Sequence, residues 1–183
     1  MVLQTSRLLL RPAGEPDIEP LHRLWTEPEV RRFLWDNEVI PLDRARAVVL
    51  ASLETWSSRR YGLWTVVPSA EAPLVGFCGF RPSEWAEAPE LLFGLSATHW
   101  GRGLALEAAR AAATWAFETL HATRIVAATD PPNTASVKVL ERLGMRFERQ
   151  GQLQGLDALF YTLDAVALKL QTDGRLEGDR SER

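Results

Sequence analysis

The segment from Glu90 to Ala109 constrains the fold of this chain more than any other part of its sequence. A short apolar run leads to the glycine pair Gly101 and Gly103, and an alanine-rich helical stretch follows. Glycine lets a backbone approach a ligand closely, and the free amides and positive dipole end of a helix start bind anions. Arg102, between the glycines, adds positive charge. The segment therefore predicts a strand, a turn and a helix start that together bind a pyrophosphate.

Two common nucleotide-binding patterns do not fit this segment. A Walker A loop requires Gly-Lys-Ser/Thr, which does not follow the glycines. The dinucleotide pattern Gly-x-Gly-x-x-Gly lacks its third glycine here. Neither pattern explains the turn.

Length and composition predict one domain of an ordinary globular kind. The chain has 183 residues, of which 46% are hydrophobic and 25% charged. We expect the domain to cover residues 1–170 and the polar stretch 171–183 to form a disordered tail. The net charge of -3, without a long cationic run, makes nucleic acid an unexpected partner.

The cysteine count and the N-terminus bear on location. Cys78 is the only cysteine, so there is no internal disulfide and no thiolate set for structural zinc. No secretory signal opens the sequence, and no apolar stretch approaches about 18 residues. We expect a cytoplasmic protein with no metal site and no membrane association.

Apolar spacing predicts helices and strands around the glycine turn. Helical spacing begins at Asp17, Pro28 and Asp43, with the two aspartates as N-caps. In the third helix the expected apolar face is Ala47, Leu50, Leu53 and Trp56. A later helix begins at Pro132 and Asn133 and ends at Gly144. Short apolar runs predict strands at Ser6 to Pro12, Gly62 to Val67, Leu74 to Phe80, Glu90 to Leu95, Arg124 to Thr129, Met145 to Arg149 and Phe160 to Leu168.

Three segments carry a resemblance to a known family. The run Trp100-Gly101-Arg102-Gly103-Leu104-Ala105 resembles the acyl-CoA pyrophosphate loop of GNAT N-acetyltransferases, Gln/Arg-x-x-Gly-x-Gly/Ala. Trp100 replaces the usual Gln or Arg, as is common in the RimJ/RimL-like branch. Asn133-Thr134-Ala135-Ser136, with Leu143-Gly144-Met145, is similar to that branch's Asn-x-x-Ser helix, and Thr5 to Pro12 is similar to its first strand. The resemblance covers residues 5 to 170.

The resemblance implies an α/β (α+β) fold and a cofactor site. It implies a mixed, mostly antiparallel sheet, flanked by helices and splayed near Leu95 to admit acetyl-CoA. Backbone groups of the strand end would pair with pantetheine, the glycine turn would hold the pyrophosphate, and the later helix would lie beside the thioester. The implied cofactor-binding residues are Leu95, Ser96, Ala97, Trp100, Gly101, Arg102, Gly103, Leu104, Ala105, Asn133 and Ser136.

Amine acylation requires three chemical roles. An ammonium must lose a proton to a base, and Glu90, which matches a glutamate common in the branch, is the candidate. The resemblance gives the oxyanion donor as a backbone amide near Leu95. Many relatives protonate the thiolate with a tyrosine where this chain has Leu140, so Ser136 becomes the candidate partner of the sulfur.

Simpler interpretations stand beside these roles. Glu90 also fits a solvated residue at a strand edge, and Asn133 fits a helix N-cap, either alone or in addition to contacting the cofactor. Most of the seven tryptophans are expected to pack in the core. Trp35 and Trp85 are the exceptions, because each lies in a polar stretch of the kind that borders the acceptor cleft in related folds.

The implied function is transfer of an acetyl group from acetyl-CoA to a primary amine by direct attack. The leading acceptor is the α-amine of a protein or peptide N-terminus. The alternatives are a small-molecule amine (an amino acid, polyamine or antibiotic) and a non-catalytic acyl-CoA-binding module. A small amine would need a narrower cleft, lined by acidic residues near Asp36 to Glu38. Similar proteins are frequently homodimers, so a homodimer is an alternative to a monomer.

Overall fold

The chain contains five α-helices and eight strands within its described residues. The structure is a computed structural model that describes residues 1–68 and 72–166 of the 183-residue chain. The helices are α1 Ile18–Trp25, α2 Pro28–Leu34, α3 Leu42–Arg59, α4 Leu104–Glu118 and α5 Thr134–Leu143. The strands are β1 Leu3–Gln4, β2 Leu9–Pro12, β3 Leu63–Val67, β4 Gly76–Pro82, β5 Pro89–Leu95, β6 Arg124–Thr129, β7 Arg146–Leu153 and β8 Leu156–Asp164.

The strands form one sheet in the order β1-β2-β3-β4-β5-β6-β8-β7. Every neighbouring pair is antiparallel except β5 and β6, which are parallel. That parallel pair has a single register position, Glu90 with Val126. Beyond it β5 continues to Leu95 without a partner on this side. The expected mixed, mostly antiparallel sheet with a splay near Leu95 is therefore confirmed.

Helix α4 packs closely on one face of the sheet. Four of its alanines, Ala109, Ala112, Ala113 and Ala116, have no exposed surface, and they belong to the same core cluster as Leu91 and Leu95 of β5. Small side chains let the helix axis approach the sheet closely. The alanine-rich pattern that predicted close packing against a sheet is confirmed.

A second core cluster lies on the opposite face. It joins Leu21 and Trp25 of α1 and Val49 of α3 to Phe77 of β4. Side chains alternate between the two faces of a strand. In β5, residue Leu91 faces α4, so Glu90 faces the side of the sheet covered by the first three helices.

Several local predictions need correction. The structure places the buried face of α3 at Ala45, Val49 and Ser52, whereas Leu50 is 44% exposed. The N-cap of α3 is Pro41, because the helix begins at Leu42 and Asp43 is already in its first turn.

Asp17 has the N-cap position of α1, but its side chain makes no capping bond. Its carboxylate instead accepts hydrogen bonds from Arg11, at 2.6 and 2.7 Å, and from the Gly14 amide. Burial raises the pKa of this carboxyl, but these bonds outweigh burial and leave the pKa below its usual value.

The ends of the chain differ from the sequence prediction. The first predicted strand, Ser6 to Pro12, is shorter than expected, because β2 covers only Leu9–Pro12. A turn at residues 5–8 separates it from β1, which lies before the predicted range. The last strand begins earlier than expected and ends at Asp164. The predicted continuation to Leu168 is wrong at residues 165–166, which are helical, and residues 167–183, including the predicted tail 171–183, lie outside the described residues. Among the described helices, none has the length and apolar character needed to cross a membrane.

Candidate functional site

The glycine turn has the backbone conformation that its sequence predicted. Gly101 and Gly103 have φ values of 72° and 75°, in the left-handed region that favours glycine. Gly103 is the N-cap of α4, and the amides of the first helical turn have no partner within the helix. A side chain at Gly101 would meet no atom within 4 Å. The turn is therefore open and presents amides and a positive helix end.

At the end of β5, one backbone amide points into the splay, the gap that opens between β5 and β6 beyond their single paired position. Leu95 pairs with Gly76 of β4, and the next amide, that of Ser96, donates to the Val75 carbonyl at 2.9 Å. Donors alternate in direction along an antiparallel strand. The Leu95 amide consequently points away from β4, toward the gap beside β6. The Leu95 carbonyl accepts a hydrogen bond from the Trp100 indole at 2.8 Å.

Glu27 is a residue of this site that the sequence did not reveal. It precedes α2, and its carboxylate accepts hydrogen bonds from the Ser96 hydroxyl at 2.9 Å and the Ala97 amide at 3.3 Å. These two residues were expected to pair with pantetheine. Their partner in the protein is almost 70 residues away in sequence, so no local spacing indicates it.

The start of α5 lies at the carboxyl end of β6, on the same side as the splay. The Asn133 side chain accepts a hydrogen bond from the Ser136 amide at 3.2 Å, which confirms the N-cap interpretation. The Ser136 side chain is half-buried, and its hydroxyl has no partner among the described residues. Leu140 is 1% exposed and belongs to the core, so it contributes no proton donor.

Glu90 is buried rather than solvated, so the simpler interpretation of this residue was wrong. Its side chain is 1% exposed, and both carboxylate oxygens accept hydrogen bonds from Arg81, at 2.8 and 3.2 Å. It lies where β5 and β6 pair, five residues before Leu95, or about 17 Å along the strand. The structure therefore does not bring Glu90 next to Leu95.

The two tryptophans expected at the acceptor cleft lie on the same face of the sheet as Glu90. Trp35 packs edge-on against Trp25 of α1, with ring centroids 5.9 Å apart. Trp85 packs against Phe160 of β8 at 4.7 Å. Since Tyr161 and Leu163 of β8 face α4, Phe160 faces the other way. The side of the sheet opposite α4 thus carries all three residues.

An acidic pair lies near the open end of β6. Asp130 directly follows β6, and Asp36 follows α2. Burial raises the pKa of Asp130, and the nearby negative charge of Asp36 raises it further. The sequence reasoning singled out Asp36 but missed Asp130. Among the described residues, no group of three His, Cys, Asp or Glu side chains is arranged to hold a metal ion.

The turn between β1 and β2 is bonded to the first turn of α4. Glu107 accepts hydrogen bonds from the Thr5 hydroxyl at 2.6 Å, the Ser6 hydroxyl at 3.1 Å and the Arg7 amide at 3.0 Å. The Arg7 guanidinium donates to Glu107 at 2.6 Å and to the Arg102 carbonyl at 2.8 Å. We call Thr5, Ser6, Arg7 and Glu107 the N-terminal cluster.

Glu107 is held as a carboxylate by this cluster. Burial raises the pKa of Glu107, but the hydrogen bonds from Thr5, Arg7 and Ser6 outweigh burial and leave the pKa below its usual value. Sequence reasoning missed Glu107, because its partners are about 100 residues away in sequence.

Comparison with known proteins agrees with this geometry. The family model of the acetyltransferase (GNAT) domain matches residues 7–146. The uncharacterised N-acetyltransferase p20 of Bacillus licheniformis is 29% identical over 157 residues, covering 83% of this chain and 85% of the relative. An FsC-acetyl coenzyme A-N(2)-transacetylase of Aspergillus fumigatus is 31% identical, covering 78% of this chain and 64% of the relative.

A solved structure shares the fold. RimL, a ribosomal-protein α-N-acetyltransferase solved in complex with coenzyme A, superimposes with a TM-score of 0.75 at 21% identity, covering 90% of this chain and 98% of RimL. The family match spans the splay, the glycine turn and α5, which are the elements that form the candidate site. The chain therefore belongs to the GNAT acetyltransferase family and is an acetyl-CoA-dependent N-acetyltransferase.

Proposed function

We propose that this enzyme transfers the acetyl group to the α-amine of a protein or peptide N-terminus by direct attack. One observation supports the transfer from acetyl-CoA: the gap between β5 and β6 has the Leu95 amide facing it and an open glycine turn near its mouth. An extended thioester arm with a pyrophosphate at one end matches a gap of this kind.

In the proposed complex, the amides of Arg102, Gly103, Leu104 and Ala105 bind the pyrophosphate. Their support is the left-handed glycine turn and the positive end of α4. Trp100 and Gly101 shape the entrance, and Leu95, Ser96 and Ala97 pair with pantetheine. The Ala97 amide already bonds Glu27, so it would exchange this partner or share it. Asn133 and Ser136 lie beside the thioester.

The proposed chemistry forms a carbon–nitrogen bond and breaks the carbon–sulfur bond. The acceptor ammonium first loses a proton to water. Glu90, about 17 Å along β5 from Leu95 and bonded to Arg81 through both carboxylate oxygens, would receive this proton only through a chain of several water molecules. The Leu95 amide then stabilises the oxyanion, a contribution of about 3 kcal/mol for one such donor. The Ser136 hydroxyl, which has no partner among the described residues, donates a hydrogen bond to the departing thiolate.

Two features support an acceptor that is a cationic amine at the N-terminus of a polypeptide. The Asp36 and Asp130 pair attracts an ammonium group near the open end of β6. RimL, which shares the fold, is named for acetylation of a ribosomal-protein N-terminus. In this proposal, Trp35 and Trp85 border the path along which the peptide enters.

A small amine is the second candidate acceptor. It is favoured by the relative at 31% identity, whose name describes an N(2)-transacetylase. The same acidic pair would attract a small cation, so the cleft residues do not separate the two acceptors. The distinction requires a measurement of turnover.

The test is release of free CoA from acetyl-CoA with a panel of N-terminal peptides and small amines. Isothermal titration with acetyl-CoA runs beside it. We expect turnover with peptides, and blocking the peptide α-amine should abolish it. Turnover confined to small amines would establish the second candidate. Binding without turnover on any acceptor would instead indicate an acyl-CoA-binding module.

A further inference from the structure

The glycine turn contains two residues with positive φ, and its N-cap residue, Gly103, makes no side-chain cap. A side chain from the N-terminal part of the chain contacts the turn instead. Arg7 donates to the Arg102 carbonyl at 2.8 Å, and its guanidinium is anchored in turn by Glu107 at 2.6 Å. Glu107 belongs to the first turn of α4, directly after the glycine turn.

This contact determines the direction of one amide. In a trans peptide unit the carbonyl oxygen and the following amide hydrogen point in opposite directions. Since Arg7 holds the Arg102 carbonyl, the Gly103 amide must point away from Arg7. The Gly103 amide is one of the four that form the proposed pyrophosphate cradle.

Arg7 also balances a charge. Glu107 places a carboxylate at the positive end of α4, where it would repel a bound phosphate. The guanidinium of Arg7 pairs with this carboxylate, and a Cβ at Gly103 would lie 3.7 Å from the Arg7 Nη2 atom. The positive group therefore lies against the turn itself, between the carboxylate and solvent, with half of its side-chain surface exposed.

We propose that Arg7 and Glu107 are positioning residues for the donor phosphates. Glu107 anchors Arg7. Arg7 orients the Arg102–Gly103 peptide unit and neutralises the Glu107 carboxylate. The inference rests on the proposed binding of the pyrophosphate at this turn. It assigns a role in donor recognition to the turn between β1 and β2, which lies outside both the glycine turn and α4.

The first measurement is the dissociation constant of acetyl-CoA for Arg7→Ala. We expect it to rise about tenfold or more, because an oriented amide and a neutralising charge are lost together. Arg23→Ala is the matched control: it removes one exposed arginine whose only ion pair within the described part of the chain, with Glu19, spans 3.9 Å on the surface of α1. Its dissociation constant should equal that of the wild type.

A truncated donor separates positioning from folding. Acetyl-pantetheine lacks the pyrophosphate, so Arg7→Ala should lower kcat/KM for acetyl-CoA and leave kcat/KM for acetyl-pantetheine unchanged. Equal losses with both donors would show a general structural defect and overturn the inference. Arg7→Lys, which keeps the charge but not the planar fork, should bind acetyl-CoA with intermediate affinity.

A double variant tests the charge. Arg7→Ala leaves the Glu107 carboxylate unpaired near the phosphates, and adding Glu107→Gln removes that repulsion. The double variant should therefore bind acetyl-CoA more tightly than Arg7→Ala alone. No recovery would overturn the neutralising role. If the wild-type protein does not bind acetyl-CoA, the proposed function itself is overturned. If the wild type binds acetyl-CoA and Arg7→Ala binds it with the same dissociation constant, only the inference is overturned.

Discussion

Glu90 combines a proposed proton transfer with a buried ion pair to Arg81. Glu90→Gln should lower kcat by about 100-fold if the carboxylate accepts the acceptor's proton. It should also lower the free energy of unfolding by about 1–3 kcal/mol, because Arg81 loses its charged acceptor. Steady-state kinetics and urea unfolding separate the two effects. Glu54→Gln, at an exposed position on α3, is the control, and lost stability with unchanged kcat would remove Glu90 from the chemistry.

The role of Ser136 is tested by measuring the kcat of a Ser136 variant at a saturating concentration of acetyl-CoA. Ser136→Ala should lower kcat about threefold to tenfold, as expected for the loss of one hydrogen bond to the departing sulfur. The dissociation constant of acetyl-CoA should hardly change, since the Ser136 amide still caps α5 through Asn133. Single-turnover kinetics measures the chemical step directly. An unchanged rate would contradict the proposed role of the hydroxyl.

Glu107 predicts a pH dependence of stability. Its pKa is lower in the folded protein than in the unfolded chain, so its contribution is complete above the unfolded pKa and disappears as pH falls through the folded one. The free energy of unfolding of the wild type should therefore exceed that of Glu107→Gln most at neutral pH. This margin between the two free energies should shrink below about pH 4. Urea unfolding from pH 7 to pH 3 measures it, and a margin that does not vary with pH would contradict the assignment.

The start of α4 also depends on the left-handed backbone conformation of Gly103. Gly103→Ala forces a Cβ into the left-handed region, which costs about 1 kcal/mol and shifts the amides of the turn. We expect the dissociation constant of acetyl-CoA to rise about tenfold. Gly155→Ala is a matched control, with φ 84° and no atom within 4 Å, in the turn between β7 and β8.

Both glycine variants should lose similar stability, because the backbone strain is similar. Only Gly103→Ala should lose donor affinity, which isothermal titration measures. An equal change in affinity for the two variants would show that the strain, and not the position of the turn, is responsible.

At the scale of the whole molecule, we propose that residues 1–170 form the functional domain. Removal of residues 171–183 should leave the melting temperature, kcat and KM unchanged within error, because the family match ends at residue 146, well before that segment. Thermal unfolding and steady-state kinetics on the shortened chain make the test. A drop in the melting temperature would extend the domain into the tail.

The sequence predicted the parts of this fold that depend on local pattern. The glycine turn, the alanine-rich α4 and the Asn133 cap follow from residue types at fixed spacing, and the structure has all three. The face of α3 was predicted wrongly because Leu50 is apolar yet exposed, and apolar residues are common on protein surfaces.

Contacts between distant parts of the chain had no such pattern. Glu27 accepts a hydrogen bond from the Ala97 amide, and Glu107 accepts one from the Arg7 guanidinium. The charge of Asp36 raises the pKa of Asp130. In each pair the two residues are many tens of residues apart in sequence. The burial of Glu90 was missed because the first three helices, which cover its face of the sheet, come from a distant part of the sequence. Only the assembled sheet brings these residues together.

From the single register position between β5 and β6 we expect the gap between these strands to form late in folding. Strands β1 to β5 neighbour one another in chain order, whereas on the other side of the gap β6 pairs with β8, and β8 with β7. Parallel pairing of β5 with β6 must wait for α4 to cross the sheet, and such distant pairings form slowly. During refolding, stability should therefore appear in two stages, with donor binding regained only in the second.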